Sequence, residues 1–232
     1  MAEKEIALIV GTGPKLSASL ARLFAGEGMS VAVAARNLGK LDGLVAETGA
    51  RAYACDATQR DQVAALFAGV ASDLGTPDVV VYNPSGRVRG PVVELDPEAV
   101  EQAIAVTCFG GFLVGQAAAR QMIAAGRGSI LFTGASASVK GYANSSSFAM
   151  GKFGLRGLAQ SMARELAPQN VHVAHFVIDG GIGDANDDRA AGRGPDGLLH
   201  PDEIARTYLH AHRQQRSAWT WEFELRPWVE NF

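Results

Sequence analysis

Apolar residues in this chain fall into two patterns that alternate along its length. One is a short continuous run rich in Val, Ala and Ile that ends at a glycine or a polar residue, which is typical of a strand buried on both faces. The other is a longer stretch with apolar residues three and four positions apart, which is typical of a helix with one covered side. The runs predict strands at Ile6 to Val10, Val31 to Ala35, Arg51 to Cys55, Val79 to Tyr82, Ile130 to Thr133 and Val171 to Ile178, and a final strand within residues 219–227.

The regular alternation of strands and helices predicts the fold. Consecutive strand–helix units are typical of the α/β class, and here they indicate a doubly wound parallel sheet of the Rossmann type. The 232 residues, of which 47% are hydrophobic and 19% charged, suit one domain with a large core. No internal repeat or low-complexity linker divides the chain, so we expect a single domain over residues 1–232.

Two of the predicted helices, Ala99 to Met122 and Phe148 to Leu166, carry apolar or small residues on most of their faces. Burial inside the domain would cover such helices, and so would contact with another subunit. We favour the second interpretation, because a helix that is apolar all round cannot face water. The sequence therefore predicts a homodimer or homotetramer formed through these helices.

Residues 180–197 are rich in Gly and Asp and poor in apolar residues, which predicts a mobile loop. A long loop of this kind in a compact domain is either a functional lid or a disordered segment. The sequence alone leaves both interpretations open.

Charge and cysteine content exclude several classes of partner. With 21 Lys+Arg against 24 Asp+Glu and no run of five like charges, the chain lacks the basic surface that binds nucleic acid or an anionic membrane. Two cysteines, Cys55 and Cys108, point to a reducing compartment, and no Cys/His spacing is typical of a metal site. The N-terminal residues lack the pattern of a signal peptide or a membrane span, so we expect a cytoplasmic protein.

The first predicted strand leads into Gly11, Thr12 and Gly13, and a helix follows that includes Lys15 and Leu16. At such a junction the backbone N–H groups and the helix dipole can hold a pyrophosphate, and the glycines allow its close approach. Leu16 stands where the dinucleotide fingerprint has its third glycine, so the motif alone equally fits a tight turn. Its place in the first strand–helix–strand unit favours dinucleotide binding.

The second predicted strand ends at Ala35, followed by Arg36 and Asn37, where a ribose-reading residue belongs. An acidic residue there would accept the 2′-hydroxyl of NAD, whereas Arg36, assisted by Lys15, would meet the 2′-phosphate of NADP. We therefore predict NADP as the cofactor, with NAD as the alternative. Both cations are also explained as solvated loop side chains.

Three further segments follow in order: Asp56-Ala57-Thr58 after the third strand, Tyr82-Asn83-Pro84-Ser85-Gly86 after the fourth, and Lys152 early in a long helix. With them the chain resembles the short-chain dehydrogenase/reductases over essentially its whole length. The resemblance implies an NAD(P)-dependent oxidoreductase that acts on a small carbonyl or alcohol. It also implies that Asp56 and Ala57 border the adenine, that Asn83, Pro84 and Ser85 form the cofactor floor, and that Ile182 lies near the nicotinamide.

The resemblance breaks at the catalytic residues. The family places a tyrosine four residues before its lysine, on the same helix face, and here that position is Phe148. In such a pair the ammonium lowers the phenol pKa, so that the phenol can pass a proton to the carbonyl oxygen. The family's serine and asparagine correspond to Ala135 and Thr107. Of the family's four catalytic residues (asparagine, serine, tyrosine and lysine), only the lysine, Lys152, is present.

Two neighbouring hydroxyls are candidates for the missing proton donor, besides a lid group or an ordered water. Tyr142 lies ten residues before Lys152 in a predicted loop, and Ser136 is adjacent to the position of the lost serine. Both are equally explained as ordinary loop and turn residues. Lys152 itself is expected to hydrogen-bond the nicotinamide ribose.

Three functional hypotheses remain open from the sequence. The first is an oxidoreductase with an atypical proton donor. The second is a catalytically silent dinucleotide-binding sensor or partner subunit, which keeps the fold without the acid. The third is a scaffold in which Lys15, Leu16 and Ser17 occlude the pyrophosphate site. The sequence names no particular small-molecule substrate.

Overall fold

Residues 4–230 are described by the computed structural model, and its sheet has seven parallel strands in the order β3-β2-β1-β4-β5-β6-β7. This topology confirms the predicted doubly wound α/β fold. Each predicted strand is present, with its ends within a residue or two of the expected positions. The strands are β1 Ile6–Val10, β2 Ser30–Ala35, β3 Arg51–Ala54, β4 Val79–Tyr82, β5 Ser129–Thr133, β6 His172–Ile178 and β7 Glu222–Leu225.

Helices cover both faces of the sheet. They are α1 Leu16–Gly26, α2 Asp42–Thr48, α3 Arg60–Asp73, α4 Pro97–Ile104, α5 Gly110–Ala125, α6 Ser146–Leu166 and α7 Pro201–His212. One core lies between the sheet and α3, α5 and α6, and the other lies between the sheet and α1 and α7.

Alternate residues of each strand supply the two cores. In β1, Leu8 and Val10 belong to the core under α3 and α5, whereas Ala7 and Ile9 belong to the core under α1 and α7. Each fully buried Leu, Ile or Val stabilises the fold by about 1.5–3 kcal/mol. Burial on both faces explains why the strands read as continuous apolar runs.

The predicted helix Ala99 to Met122 is interrupted. It consists of α4, a π-helical turn at Ala105–Phe109, and α5. Within that turn the Tyr82 hydroxyl donates a hydrogen bond to the Val106 carbonyl at 2.5 Å. The turn also brings Gly110 so close to Tyr82 that a Cβ on Gly110 would lie 2.4 Å from the phenolic oxygen. The wider π-helical turn therefore places the start of α5 directly against Tyr82, the last residue of β4.

By length and composition alone, the continuous helical stretch Pro97–Ala125 is apolar enough to cross a membrane. In this fold it packs along the sheet, and Val114, Ala118 and Met122 are buried in the core. Its other side leaves Phe109 and Phe112 partly exposed, and α6 exposes Phe153 in the same way. The core thus covers only part of the apolar surface of these helices.

The segment after β6, predicted to be a mobile loop, is tethered to the rest of the fold at several points. Ile182 and Leu199 form a parallel β-bridge, and a single 3-10 turn lies between them at Asp188–Ala190. The indole N–H of Trp228 donates to the Pro195 carbonyl at 2.9 Å. The loop thereby lies across the carboxyl edge of the sheet.

Candidate active site

A cavity of about 450 Å³ opens at the carboxyl edge of the sheet, where β1 and β4 are neighbours and the strand order reverses. Ligands of doubly wound proteins bind at such a switch point. Most of the predicted cofactor residues meet here. The lining comprises Val10, Gly11, Thr12, Ala35, Arg36, Asn37, Lys40, Cys55, Asp56, Ala57, Thr58, Asn83, Pro84, Ser85 and Val106.

The turn after β1 can be formed only with glycine at its first position. Gly11 has φ +83°, and a Cβ there would lie 2.5 Å from the Pro84 side chain. The turn is locked by a chain of hydrogen bonds: the Asn83 amide donates to the Ser17 hydroxyl at 2.7 Å, and that hydroxyl donates to the Gly11 carbonyl at 3.1 Å. The floor of the cavity is therefore a preformed backbone structure.

The N-terminus of α1 remains available for an anion. The backbone N–H groups of Gly11 and Thr12 both donate to the Ala34 carbonyl and so are used in the turn itself. The first turn of α1 has no side-chain cap, and a Cβ on Gly13 would meet nothing within 4 Å. A phosphate in this open space would face the uncapped N–H groups and the positive end of the helix dipole. These features fit a dinucleotide.

Leu16 and Lys15 lie away from this space. The Leu16 side chain is 2% exposed and belongs to the core under α1, so it contributes packing and only its backbone faces the anion site. Lys15 points across the cleft toward the loop after β6. Neither side chain fills the cavity, so the arrangement offers no support for the occlusion hypothesis.

At the far end of the cavity the turn after β2 supplies two cations. Arg36 and Lys40 both line the cavity and are exposed, and neither forms an ion pair with any residue from 4 to 230. The strand end carries no carboxylate that would accept a ribose 2′-hydroxyl. This end of the cavity is therefore suited to a 2′-phosphate.

Lys152 lies on the first turns of α6, against the carboxyl end of β5, and is not among the lining residues of this cavity. It is 2% exposed, and its ammonium donates to the Thr133 carbonyl at 2.6 Å. Burial, and secondarily the charge of Arg87, lower the pKa of Lys152 to about 7. The ammonium is thus held in a site where it gives up its proton far more readily than an exposed lysine does.

The ring of Phe148 occupies the position four residues before Lys152 and is 7% exposed. The guanidinium carbon of Arg87 lies 3.8 Å from the centroid of this ring, and the Lys152 ammonium lies 5.9 Å from it. Sequence reasoning missed Arg87. The only signal was two arginines in the loop after β4, a pattern that exposed loops also show.

The residues that replace the family's serine and asparagine have structural contacts. Thr107 is fully buried, and its hydroxyl accepts from the Gly86 N–H at 2.8 Å and donates to the Gly86 carbonyl at 3.2 Å. The Ala135 N–H donates to the Ser138 hydroxyl at 3.1 Å. Thr107 therefore fixes the loop after β4.

The two hydroxyls considered as substitute proton donors are bonded or exposed elsewhere in the structure. Tyr142 is 46% exposed and lies beside Lys140, whose ammonium is 3.4 Å from a carboxylate oxygen of Asp179. Ser136 begins a 3-10 turn, and its carbonyl accepts from the N–H groups of Val139 and Lys140. Across residues 4–230, no hydrogen bond connects either hydroxyl to the lysine.

Three charged side chains, Lys15, Asp187 and Arg189, form a cluster that we call the latch. The Lys15 ammonium donates to the Asp187 carboxylate at 2.5 Å and to the Ile182 carbonyl at 3.1 Å. Arg189 donates to the same two acceptors at 2.7 and 2.6 Å. Hydrogen bonds from Arg189 and Lys15 hold the pKa of Asp187 far below its usual range. The latch joins the N-terminus of α1 to the loop after β6.

A buried histidine supports the loop after β5 from below. The His175 Nδ1 atom lies 3.1 Å from the Glu222 carboxylate, which also accepts two hydrogen bonds from Arg156 at 2.6 and 2.8 Å. A Cβ on Gly134 would lie 2.3 Å from His175 Nε2, so the loop backbone rests directly on the imidazole. Burial lowers the pKa of His175 to about 4, which keeps the ring neutral at physiological pH.

Comparison with known proteins agrees with this geometry. A family model described as short chain dehydrogenase matches residues 5–191. Relatives include (+)-borneol dehydrogenase 1 of Salvia officinalis, 28% identical over 93% of this chain and 89% of its own, and cis-4-hydroxycyclohexanecarboxylate dehydrogenase of Sinomonas cyclohexanicum, 32% identical over 73% of this chain and 70% of its own.

Two solved structures are similar over nearly the whole chain. A short-chain dehydrogenase from Rhodopseudomonas palustris has a TM-score of 0.83 and 35% identity, covering 97% of this chain and 99% of its own. A metagenomic short-chain oxidoreductase, solved in complex with NADP, also has a TM-score of 0.83, with 29% identity over 96% of this chain and 97% of its own.

Proposed function

This chain belongs to the short-chain dehydrogenase family, and we propose that it is an NADP-dependent oxidoreductase acting on a small carbonyl or alcohol with a proton donor other than tyrosine. The observation that carries the proposal is the open cavity at the switch point, with its glycine turn, uncapped helix and two unpaired cations. Every part of it matches what a dinucleotide requires.

The preference for NADP rests on Arg36 and Lys40. A guanidinium binds phosphate oxygens through parallel N–H donors, and a nearby ammonium adds a point charge. The similar metagenomic oxidoreductase was solved with NADP, which supports the same choice. NAD remains the alternative cofactor.

The remaining cofactor contacts in the proposal come from several elements. The backbone from Gly13 into α1 would hold the diphosphate, Asp56 and Ala57 would border the adenine, and Ile182 would lie at the nicotinamide. Asn83, Pro84 and Ser85 form the floor, and Lys152 would contact the nicotinamide ribose. When bound, the reduced nicotinamide supplies a hydride to the carbonyl carbon of the substrate.

For the proton we propose the Lys152 ammonium itself, in preference to Tyr142 or Ser136. The ammonium would give its proton to the carbonyl oxygen as the hydride reaches the carbon, which leaves an alcohol and a neutral amine that solvent protonates again. Its pKa of about 7 suits general acid catalysis near neutral pH.

We also propose a homodimer or homotetramer in the reducing cytoplasm. Exposed aromatic side chains on α5 and α6, Phe112 and Phe153, support the interface, and the two free thiols suit that compartment. Substituting Phe112 and Phe153 together by lysine should dissociate the oligomer, which light scattering would detect as a lower molar mass. Leu38→Lys, which changes a similarly exposed apolar residue elsewhere, serves as the control.

The test of cofactor and activity begins with thermal unfolding in NADPH, NADH or neither. A nucleotide at a hundredfold excess over its Kd stabilises the folded state by about 2.7 kcal/mol. We expect the larger shift with NADPH, followed by NADPH oxidation with a member of a panel of small ketones and aldehydes. Absence of a shift with either nucleotide would contradict the proposal.

The second candidate is a silent dinucleotide-binding sensor or partner subunit. The structural contacts of Thr107 and the absence of a hydroxyl at Phe148 and Ala135 favour it. A protein that binds NADPH but turns over only after Phe148→Tyr and Ala135→Ser would be such a sensor.

A further inference from the structure

The loop after β4 presents one arginine to the active site in a fixed position. Thr107 holds Gly86 by two hydrogen bonds, and the Ser147 hydroxyl holds Val88, accepting from its N–H at 3.0 Å and donating to its carbonyl at 2.8 Å. Arg87 lies between these two anchored residues. Its guanidinium is thereby placed over the Phe148 ring by the backbone on either side.

Arg87 and Lys152 bring two positive charges to the same ring, and neither has an acidic partner among residues 4–230. The carboxylates of this region are already engaged. Asp179 pairs with Lys140 and Arg226, and Glu222 pairs with Arg156 and His175. Burial, and secondarily the charge of Arg87, lower the pKa of Lys152, and no ion pair within residues 4–230 offsets either cation.

The occupant that this arrangement favours is an anion. The guanidinium carbon of Arg87 lies 3.8 Å from the centroid of the Phe148 ring, and no hydrogen bond from its N–H groups reaches residues 4–230. Those N–H groups form a planar fork that matches a carboxylate, and a bound carboxylate would offset both charges. A neutral substrate would leave the two cations facing each other.

We propose that Arg87 is a substrate-carboxylate subsite, so that the substrate is a carbonyl or hydroxy compound that carries a carboxylate. This inference rests on the proposed oxidoreductase function and narrows its substrate class. A phosphate of the cofactor is the other source of such an anion, and the test below separates the two.

The test measures carboxylate binding to the protein saturated with NADPH. Thermal unfolding is followed with increasing sodium acetate or sodium benzoate, against sodium chloride at equal ionic strength and against acetamide and benzamide as neutral analogues. We expect at least one carboxylate to stabilise the complex more than chloride and more than its amide. Because charge-assisted hydrogen bonds are strong, Arg87→Gln should weaken this binding about tenfold or more.

Arg89→Gln is the matched control, since it removes the same charge from the same loop, and Arg89, exposed like Arg87, has no cation–π contact with the ring. It should change carboxylate affinity less than about twofold, because no ring contact holds its guanidinium at the subsite. Arg87→Lys should retain part of the affinity, because it keeps the charge and loses the fork. Unchanged unfolding temperatures without ligand would show that these variants fold normally.

Three results would overturn the subsite. The first is that neither carboxylate exceeds chloride although NADPH binds, which leaves the proposed function intact. The second is carboxylate binding that NADPH abolishes, which assigns the anion site to the cofactor. The third is an equal loss in Arg87→Gln and Arg89→Gln. A protein that NADPH does not stabilise would instead refute the proposed function, and the subsite with it.

Discussion

The two ends of the cleft differ in how they relate to the family that the chain belongs to. At the end formed by β1 and β2, the backbone turn, the uncapped helix and the cavity are those that a dinucleotide needs. At the end formed by β5 and α6, Phe148 stands where the family resemblance predicts a tyrosine, and the Arg87 guanidinium and Lys152 ammonium lie 3.8 and 5.9 Å from its ring centroid. The first end has the features that our proposed cofactor needs, whereas the second has no phenol at the expected position.

The difference shows that binding and proton transfer make unequal demands on a sequence. The cofactor end depends mostly on backbone N–H groups and on one glycine that must be glycine, Gly11, so Leu16 can replace a fingerprint residue without closing it. Proton transfer depends on one side-chain atom with a suitable pKa. Loss of that atom therefore requires a new donor or ends catalysis.

Removing the proposed donor should have the largest effect. Lys152→Arg keeps a positive charge, but a guanidinium does not release its proton at neutral pH. We expect the rate of carbonyl reduction to fall by about 10²-fold or more, the usual contribution of a general acid. Steady-state NADPH oxidation measures it. Tyr142→Phe is the control and should retain the wild-type rate; the opposite ranking would move the donor to the loop.

The pH dependence of the reduction rate of the wild-type enzyme also tests Lys152 as the proton donor. The acid must be protonated to act, and the pKa of Lys152 is about 7. The rate of reduction should therefore fall as the pH rises through about 7. A rate that stays constant to pH 9 would argue against the lysine.

The buried His175, which lies under the loop after β5, should make the stability of the protein depend on pH. The pKa of His175 is lowered to about 4, below the value of an unfolded histidine, so protons bind preferentially to the unfolded chain between these values. The stabilisation that comes from the neutral His175 ring is complete above about pH 6.5. It is lost as the pH falls toward 4, which lowers the free energy of unfolding by at most roughly 3 kcal/mol. Chemical unfolding between pH 4 and 7 should show a weaker pH dependence for His175→Gln than for wild type. Equal slopes would be inconsistent with a neutral buried ring.

At the cofactor end, reversing one charge should exchange the nucleotide preference. Arg36→Asp removes a phosphate partner and supplies an acceptor for a ribose hydroxyl. We expect NADPH to bind about ten- to hundredfold more weakly, as for the loss of a charge-assisted hydrogen bond, while NADH binds as well or better. Fluorescence titration with both nucleotides measures it. An Arg36→Asp protein with undiminished NADPH affinity would assign the 2′-phosphate elsewhere.

The latch should give the smallest effect. Asp187→Asn removes the carboxylate that occupies Lys15 and Arg189, which leaves both cations available to the diphosphate. Because these are exposed charges, we expect NADPH to bind only about two- to fivefold more tightly. Asp188→Asn, at the neighbouring exposed carboxylate, is the control. Weaker binding by Asp187→Asn would show that the latch orders the site.

The strands and their order of alternation were predictable because burial on both faces leaves a continuous apolar run, as in β4. The break between α4 and α5 was not, since five residues of π-helix in a largely apolar stretch leave no trace in its periodicity. Cavity residues such as Gly11, Arg36 and Asn83 followed from their places at strand ends, whereas Lys40 was not predicted. Arg87 was not predicted either, because its proposed role depends on how Thr107 and Ser147 anchor the loop around it.

The most direct test of the account is an equilibrium titration of the wild-type protein with NADPH and NADH, followed by nicotinamide fluorescence. For the cofactor end of the cleft we predict saturable binding of one nucleotide per chain, about tenfold tighter for NADPH because of the proposed 2′-phosphate contacts. No saturation with either nucleotide would contradict the account, and so would a preference for NADH.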